Sequence, residues 1–205
     1  MSENENGNSA GTGAESPALL SALVTEHFVL QSAASSTIGE SGSRASIYLA
    51  ALSSGLVAIG FSSSSPEVLS VIASTVFPTI FVLGLFTIVR LIDTGIANVV
   101  ALQRIESIRR FYIELHPRAA EFFPSETGPR ARNLGVRYSA WSILFTMASM
   151  VTVVNAVLAG ATTALLVAMN GVPGSLAIGI IVGVVVLLAL LWYQARRFAP
   201  ALSGS

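Results

Sequence analysis

The stretch YSAWSILFTMASMVTVVNAVLAGATTALLVAMNGVPGSLAIGIIVGVVVLLALLWYQA, Tyr138–Ala195, holds 58 consecutive residues without a charged side chain. A soluble domain of ordinary composition carries about 25% charged residues, so this run belongs in lipid. It breaks once, at Asn170-Gly171-Val172-Pro173-Gly174. Each side of the break is long enough to cross a hydrocarbon core of about 30 Å at about 1.5 Å per residue. Working outward, two more uncharged stretches lie upstream, Ala45–Pro66 and Val68–Val89. The chain therefore reads as an all-α integral membrane protein with four transmembrane helices in two hairpins. The spans fall at about 45–61, 68–89, 141–169 and 175–193.

Composition agrees. Hydrophobic residues make up 53% of the 205 and charged residues 11%, and the formal net charge is zero. A chain without a basic excess is not a nucleic-acid binder as a whole. All 11 basic residues are arginine. There is no cysteine, which removes disulfides, thiol catalysis and thiolate metal sites.

The remaining segments flank the spans. Residues 1–15 are rich in Asn, Gly, Ser and Glu and read as a disordered tail, with neither the basic residue nor the apolar core of a signal peptide. Ser16-Pro17 is a helix-start pair. Behind it, Leu19, Leu20, Leu23, Val24, Phe28 and Leu30 recur at helical spacing with polar residues between. Residues 16–43 are expected to form an amphipathic helix, on the membrane surface or against a partner helix, followed by a hinge or a weak helical continuation over 35–43. Ser65, Pro66 and Glu67 suit the start of span two, with Ser65 as its cap. Pro78 inside that span frees the Ser74 carbonyl and should kink the helix, with Ser74 and Thr75 at hand to re-satisfy the backbone. Helical spacing then continues through Leu102, Ile105, Ile108, Tyr112 and Leu115. Span two is thus expected to extend as a cytosolic helix to His116, with Pro117 as its stop and a loop to residue 137. Span three, starting near Tyr138 and Trp141, would be about 48 Å of helix and would have to tilt or begin outside the lipid. Residues 198–205 read as a short tail.

Orientation follows from arginine. Eight lie between spans two and three, two at the C-terminal end (Arg196, Arg197) and one, Arg44, before span one; the other two connections carry none. The positive-inside rule then places both termini and the long connection in the cytoplasm of a bacterial plasma membrane.

Candidate functional residues are few. Asn155 is the most polar side chain deep in spans three and four, and with Ser53, Ser54, Thr75 and Thr79 it makes a candidate pathway lining; helix-to-helix hydrogen bonding is the favoured use of Asn155. Glu26, His27 and Gln31 form the densest polar face of the first helix. Solvation is favoured over acid–base chemistry there, because no HExxH, G-x-S-x-G or phosphate loop accompanies them. Asp93 and Asn98 mark the inner end of span two, where an ion pair between Asp93 and Arg90 is favoured over a cation-binding mouth. Gly179-x-x-x-Gly183 allows close helix approach, within the chain or to a second copy. Arg104, Arg109 and Arg110 are placed to meet anionic lipid headgroups. No catalytic set, metal site or cofactor is expected.

The segment Glu26-His27-Phe28-Val29-Leu30-Gln31, with Arg44 and Ser53-Ser54-Gly55-Leu56-Val57-Ala58, resembles the opening of small multi-pass membrane proteins encoded in actinobacterial genomes. The resemblance covers about the first third of the chain and implies no activity. The four-span layout is also similar, as layout alone, to pore-forming effectors of bacterial defence. Two functional readings follow. One is a non-enzymatic, homo-oligomeric membrane component, pore-forming or a signalling scaffold with a cytosolic partner. The other is a small transporter or channel subunit.

Overall fold

The computed structural model describes residues 17–122 and 146–203. Within them lie four long helices: α1 (Pro17–Ser62), α2 (Pro66–Leu115), α3 (Met147–Met169) and α4 (Ser175–Ser203), with a short 3-10 helix at Pro117–Glu121 after α2. All four are long and apolar enough to cross a membrane. The expected tail at 1–15 and most of the loop before span three, with Tyr138 and Trp141, lie outside the described residues.

Local chemistry sets the helix ends. Pro66 occupies the first turn of α2 and Glu67 sits beside its positive end, but the Ser65 side chain makes no capping bond, so Ser65 caps through its extended backbone alone. The α2 helix runs on through Pro78 and ends where His116 turns extended, one residue before Pro117. Thr146 caps α3 by accepting from the Ser149 amide. An extended Thr146 precedes the helix at Met147, and its 23 residues make about 35 Å, close to the hydrocarbon thickness; the expected start near residue 141 lies outside the described residues. Gly171 and Gly174 adopt φ of 70° and 77°, the left-handed backbone that a turn between α3 and α4 requires and that other residues resist. At the other end, α4 does not stop at residue 193 but continues to Ser203, because Phe198 is buried against Gly95 of α2.

Over residues 35–43, where a hinge or a helical continuation is expected, the continuation is what forms. The α1 helix is unbroken over 46 residues, about 69 Å, and α2 over 50 residues, about 75 Å. They run antiparallel from the turn at 63–65 and stay paired to their far ends, where the Tyr112 hydroxyl donates to the Leu20 carbonyl. The first part of α1 thus packs on the extension of α2. Buried positions on α2 recur at intervals of three, four and seven residues: Leu91, Thr94, Ala101, Ile105 and Ile108. Of these, Ala101, Ile105 and Ile108 meet Leu30 and Ala34 of α1 in a small core of their own. This is the 3.5-residue repeat of a coiled-coil seam.

The main core lies in the other half of the molecule. Tyr48, Ala73, Phe77, Ile80, Ile88, Leu91, Ile92, Ala148, Val151, Leu158 and Phe198 enclose it. The α3 helix packs along α4 on one side and α2 on the other, and α1 barely touches α3.

Candidate functional site

Two polar clusters lie in the main core. The first joins α1, α2 and α3. Tyr48 and Asn155 are both fully buried, and the Tyr48 hydroxyl donates to Asn155 Oδ1 at 3.2 Å. The Asn155 amide donates in turn to the Phe81 carbonyl of α2 at 3.4 Å. Gly84 makes the room: a Cβ there would run into Asn155 and come within 2.9 Å of the Tyr48 ring. Asn155 therefore serves as a tie between helices, with its oxygen and amide both occupied.

The second cluster joins α3 and α4. Gln194, 1% exposed, donates to Thr146 Oγ1 at 3.0 Å and to Ser149 Oγ at 2.9 Å. Between the clusters, one turn from Ser149 and one from Asn155, sits Thr152. Its hydroxyl is fully buried and has no partner among the described residues. Ser149, Thr152 and Asn155 thus form a column on one face of α3, at the three-residue spacing of helix neighbours. Gln194, Ser149 and Thr152 are absent from the sequence-based candidates. The signal was there in the three-residue spacing, and in Gln194 as the last uncharged polar side chain before Arg196.

The other pathway candidates do not join this column. Ser53, Ser54, Thr75 and Thr79 are exposed on the outside of α1 and α2. Ser54, Thr75 and Thr79 donate to carbonyls one turn back, at Ala50, Val71 and Thr75. Ser74 likewise donates to Val71, so neither hydroxyl expected to serve the carbonyl freed by Pro78 does so. Within one chain these groups line no common axis.

Around Arg90 and Asp93 of α2 the ion pairs differ from expectation. Arg90 reaches not Asp93 but Glu40 of α1, at 3.2 Å, and Glu40 also accepts from Arg44 at 2.8 Å. The bond from Arg44, helped by Arg90, holds the Glu40 carboxyl below its ordinary 4.5. Asp93 instead pairs with Arg197 of α4 at 2.6 Å, which raises the guanidinium above its ordinary range. The reason is geometric. Asp93 is three residues past Arg90 on one helix, whereas the α4 extension brings Arg197 alongside it. These pairs join α1 to α2 and α2 to α4. Asn98 lies farther along the α2 seam, its Oδ1 buried and without a partner among the described residues. Glu26 and Gln31 are exposed, while His27 turns partly into the α1–α2 seam with its Nδ1 buried. Arg104 and Arg110 are exposed on the extension of α2, well beyond the spans.

The glycine pair of α4 has a partner inside the chain. A Cβ on Gly179 would meet the Gly160 carbonyl at 2.5 Å and Ala164 at 2.6 Å, and one on Gly183 would meet the Ala156 carbonyl at 3.1 Å. Backbone lies on backbone here, so Gly179 and Gly183 serve the α3–α4 contact and are not available to a second copy. Compared with family models, curated proteins and solved structures, the chain matches none.

Proposed function

We propose that this is a non-enzymatic, multi-pass protein of the bacterial plasma membrane that acts as a signalling or scaffolding component, assembles as a homo-oligomer, and presents a helical stalk to a cytosolic partner. The observation that carries this reading is the continuity of α1 and α2. Each helix passes from the large core to the small one without a break, and the two remain paired throughout. With Arg44 and Arg90 at the inner membrane surface, the stalk extends about 40 Å beyond the headgroups. A shift in how the spans pack then has a rigid route to the stalk tip, and a partner bound at the tip has the same route back.

The channel reading retains one point in its favour: Ser53, Thr75 and Thr79 sit on the outer surface, so an assembly of several copies brings polar groups together where one chain does not. Liposomes containing the purified protein distinguish the two. The scaffold reading expects ion flux no greater than in protein-free liposomes, and a flux that rises with the amount of protein favours the channel. Orientation is tested separately in this cysteine-free chain. Single cysteines at Ser63 and Val172 should react with an impermeant maleimide in intact cells, and one at Ser107 should not; the reverse pattern overturns the orientation.

A further inference from the structure

We infer that the outer face of α4 holds an anionic phospholipid of the inner leaflet, with its phosphate on Arg196 beside Trp192 and an acyl chain along the helix; this rests on the membrane-spanning reading above and adds a lipid partner to it. Ile178, Ile181, Val185, Leu188, Trp192 and Arg196 follow one another at three- and four-residue spacing, and all are exposed. At 3.6 residues per turn they fall within an arc of about 80°. No other residue between Ile178 and Arg196 lies in that arc. Gly179, Gly183 and Gln194, which pack α4 on α3, lie on the opposite side of the helix. The face is thus apolar without interruption until it ends in an aromatic ring and a cation.

The charge at that end is unmatched. Arg197 has Asp93, and Arg44 and Arg90 share Glu40. Arg196 instead lies over the Trp192 ring, 5.2 Å from its centroid. Its helix neighbours at three and four residues are Trp192, Tyr193, Ala199 and Pro200, none of them acidic. Attraction to a ring face does not use up the N–H donors of a guanidinium. A phosphate offers the paired oxygens that this donor fork fits. Length agrees as well. From Ile181 to Trp192 the helix rises about 17 Å, against about 15 Å for one leaflet of the hydrocarbon core. A lipid with its head at Arg196 then has its chain on the apolar strip as far as the middle of the membrane, with Trp192 at the interface that suits an indole.

Other occupants fit less well. A second copy on this face, related by a twofold axis along the membrane normal, would set Arg196 against its own counterpart. A cytosolic protein does not reach Ile181 or Val185. A lipid without net charge brings a cation along with its phosphate, while an anionic one supplies the counter-charge that Arg196 lacks.

The test uses the full chain in phosphatidylcholine vesicles, with Trp141→Phe leaving Trp192 as the one tryptophan of the two. Chain-brominated phosphatidylglycerol and chain-brominated phosphatidylcholine are added separately in equal small amounts, and quenching of Trp192 is measured. Phosphatidylglycerol is expected to be preferred about fivefold, the effect of one basic residue near a charged headgroup. Arg196→Gln is expected to abolish the preference, and Arg110→Gln, which removes the same charge from the exposed stalk, to leave it intact. If the two lipids quench equally, or Arg110→Gln removes the preference as Arg196→Gln does, there is no headgroup site at Arg196 and the membrane-spanning reading stands. If neither lipid quenches while the protein resists extraction by alkaline carbonate, protein covers the face, and again the inference alone falls. Release of the protein by carbonate overturns both.

Discussion

The α1–α2 pair and the α3–α4 pair are held together by different means. The first pair meets through side chains: Tyr48, Ile80, Leu91, Ile105 and Ile108 fill the space between two helices that stay paired for the length of α1. The second meets through their absence, with the backbone at Gly160 against that of Gly179 and Gly183. In water, apolar side chains between helices gain from leaving solvent. In lipid that gain vanishes, and close contact of small residues takes its place. The long pair has a side-chain seam throughout, and the short pair has the glycine contact. Two helix pairs of one chain thus pack in two different styles.

The largest expected effect comes from breaking the glycine contact. Gly179→Leu would place a side chain where the Gly160 carbonyl and Ala164 already sit. A loss of about 3 kcal/mol or more is expected from such overpacking. It should appear as a large fall in melting temperature in detergent, while a spin-label distance between Gln31 and Ser107 in the stalk stays unchanged. If the stalk distance changes as well, the two pairs are not independent.

Next comes the tie between the pairs. Asn155→Leu leaves the Tyr48 hydroxyl buried without its acceptor, and a loss of about 1–2 kcal/mol follows from the usual strength of intramembrane hydrogen bonds. A double-mutant cycle with Tyr48→Phe should give a coupling of about 0.6 to 1.7 kcal/mol. A coupling of zero would show that the short contact carries no energy between the halves.

A smaller effect is expected where Glu40 joins α1 to α2. The Glu40 carboxyl is held below its ordinary 4.5 by Arg44 and Arg90. A lowered folded-state value means that its stabilisation is complete above about 4.5 and fades as pH falls through the folded-state value. Melting temperature should therefore drop more steeply below pH 4.5 in the natural protein than in Glu40→Gln. Identical slopes would mean that the Glu40 pairs contribute nothing. The smallest effect belongs to residues 1–15, whose removal is expected to leave melting temperature unchanged because their composition offers little apolar surface to bury.

The helices that carry the fold were legible because lipid imposes a one-dimensional rule: uncharged length against hydrocarbon thickness. Helix ends were legible where backbone chemistry is local, as at Pro66, Pro117 and Gly171. Long-range pairings were not. Three-residue spacing suggested Asp93 with Arg90, and nothing in the sequence showed that α4 would run past residue 193 to carry Arg197 there. The continuity of α1 through residues 35–43 was one of two readings, and local residues could not choose between them for the same reason. Small polar residues suggest a hinge until the α2 extension supplies Ala101, Ile105 and Ile108 as a surface to pack on. The column of Ser149, Thr152 and Asn155 had a visible period, but only Gln194 arriving from α4 gives it meaning.

The hydroxyls of Ser46, Ser54, Thr75 and Thr79 each donate to a carbonyl one turn back on their own helix. During biosynthesis this matters before any tertiary contact exists. A segment leaving the ribosome is sorted into the bilayer largely on the polarity it presents, and such bonds need only the helix itself. The serine-rich first helix can therefore satisfy Ser46 and Ser54, and Ser62 at its end, with its own backbone while it is still alone in the insertion machinery.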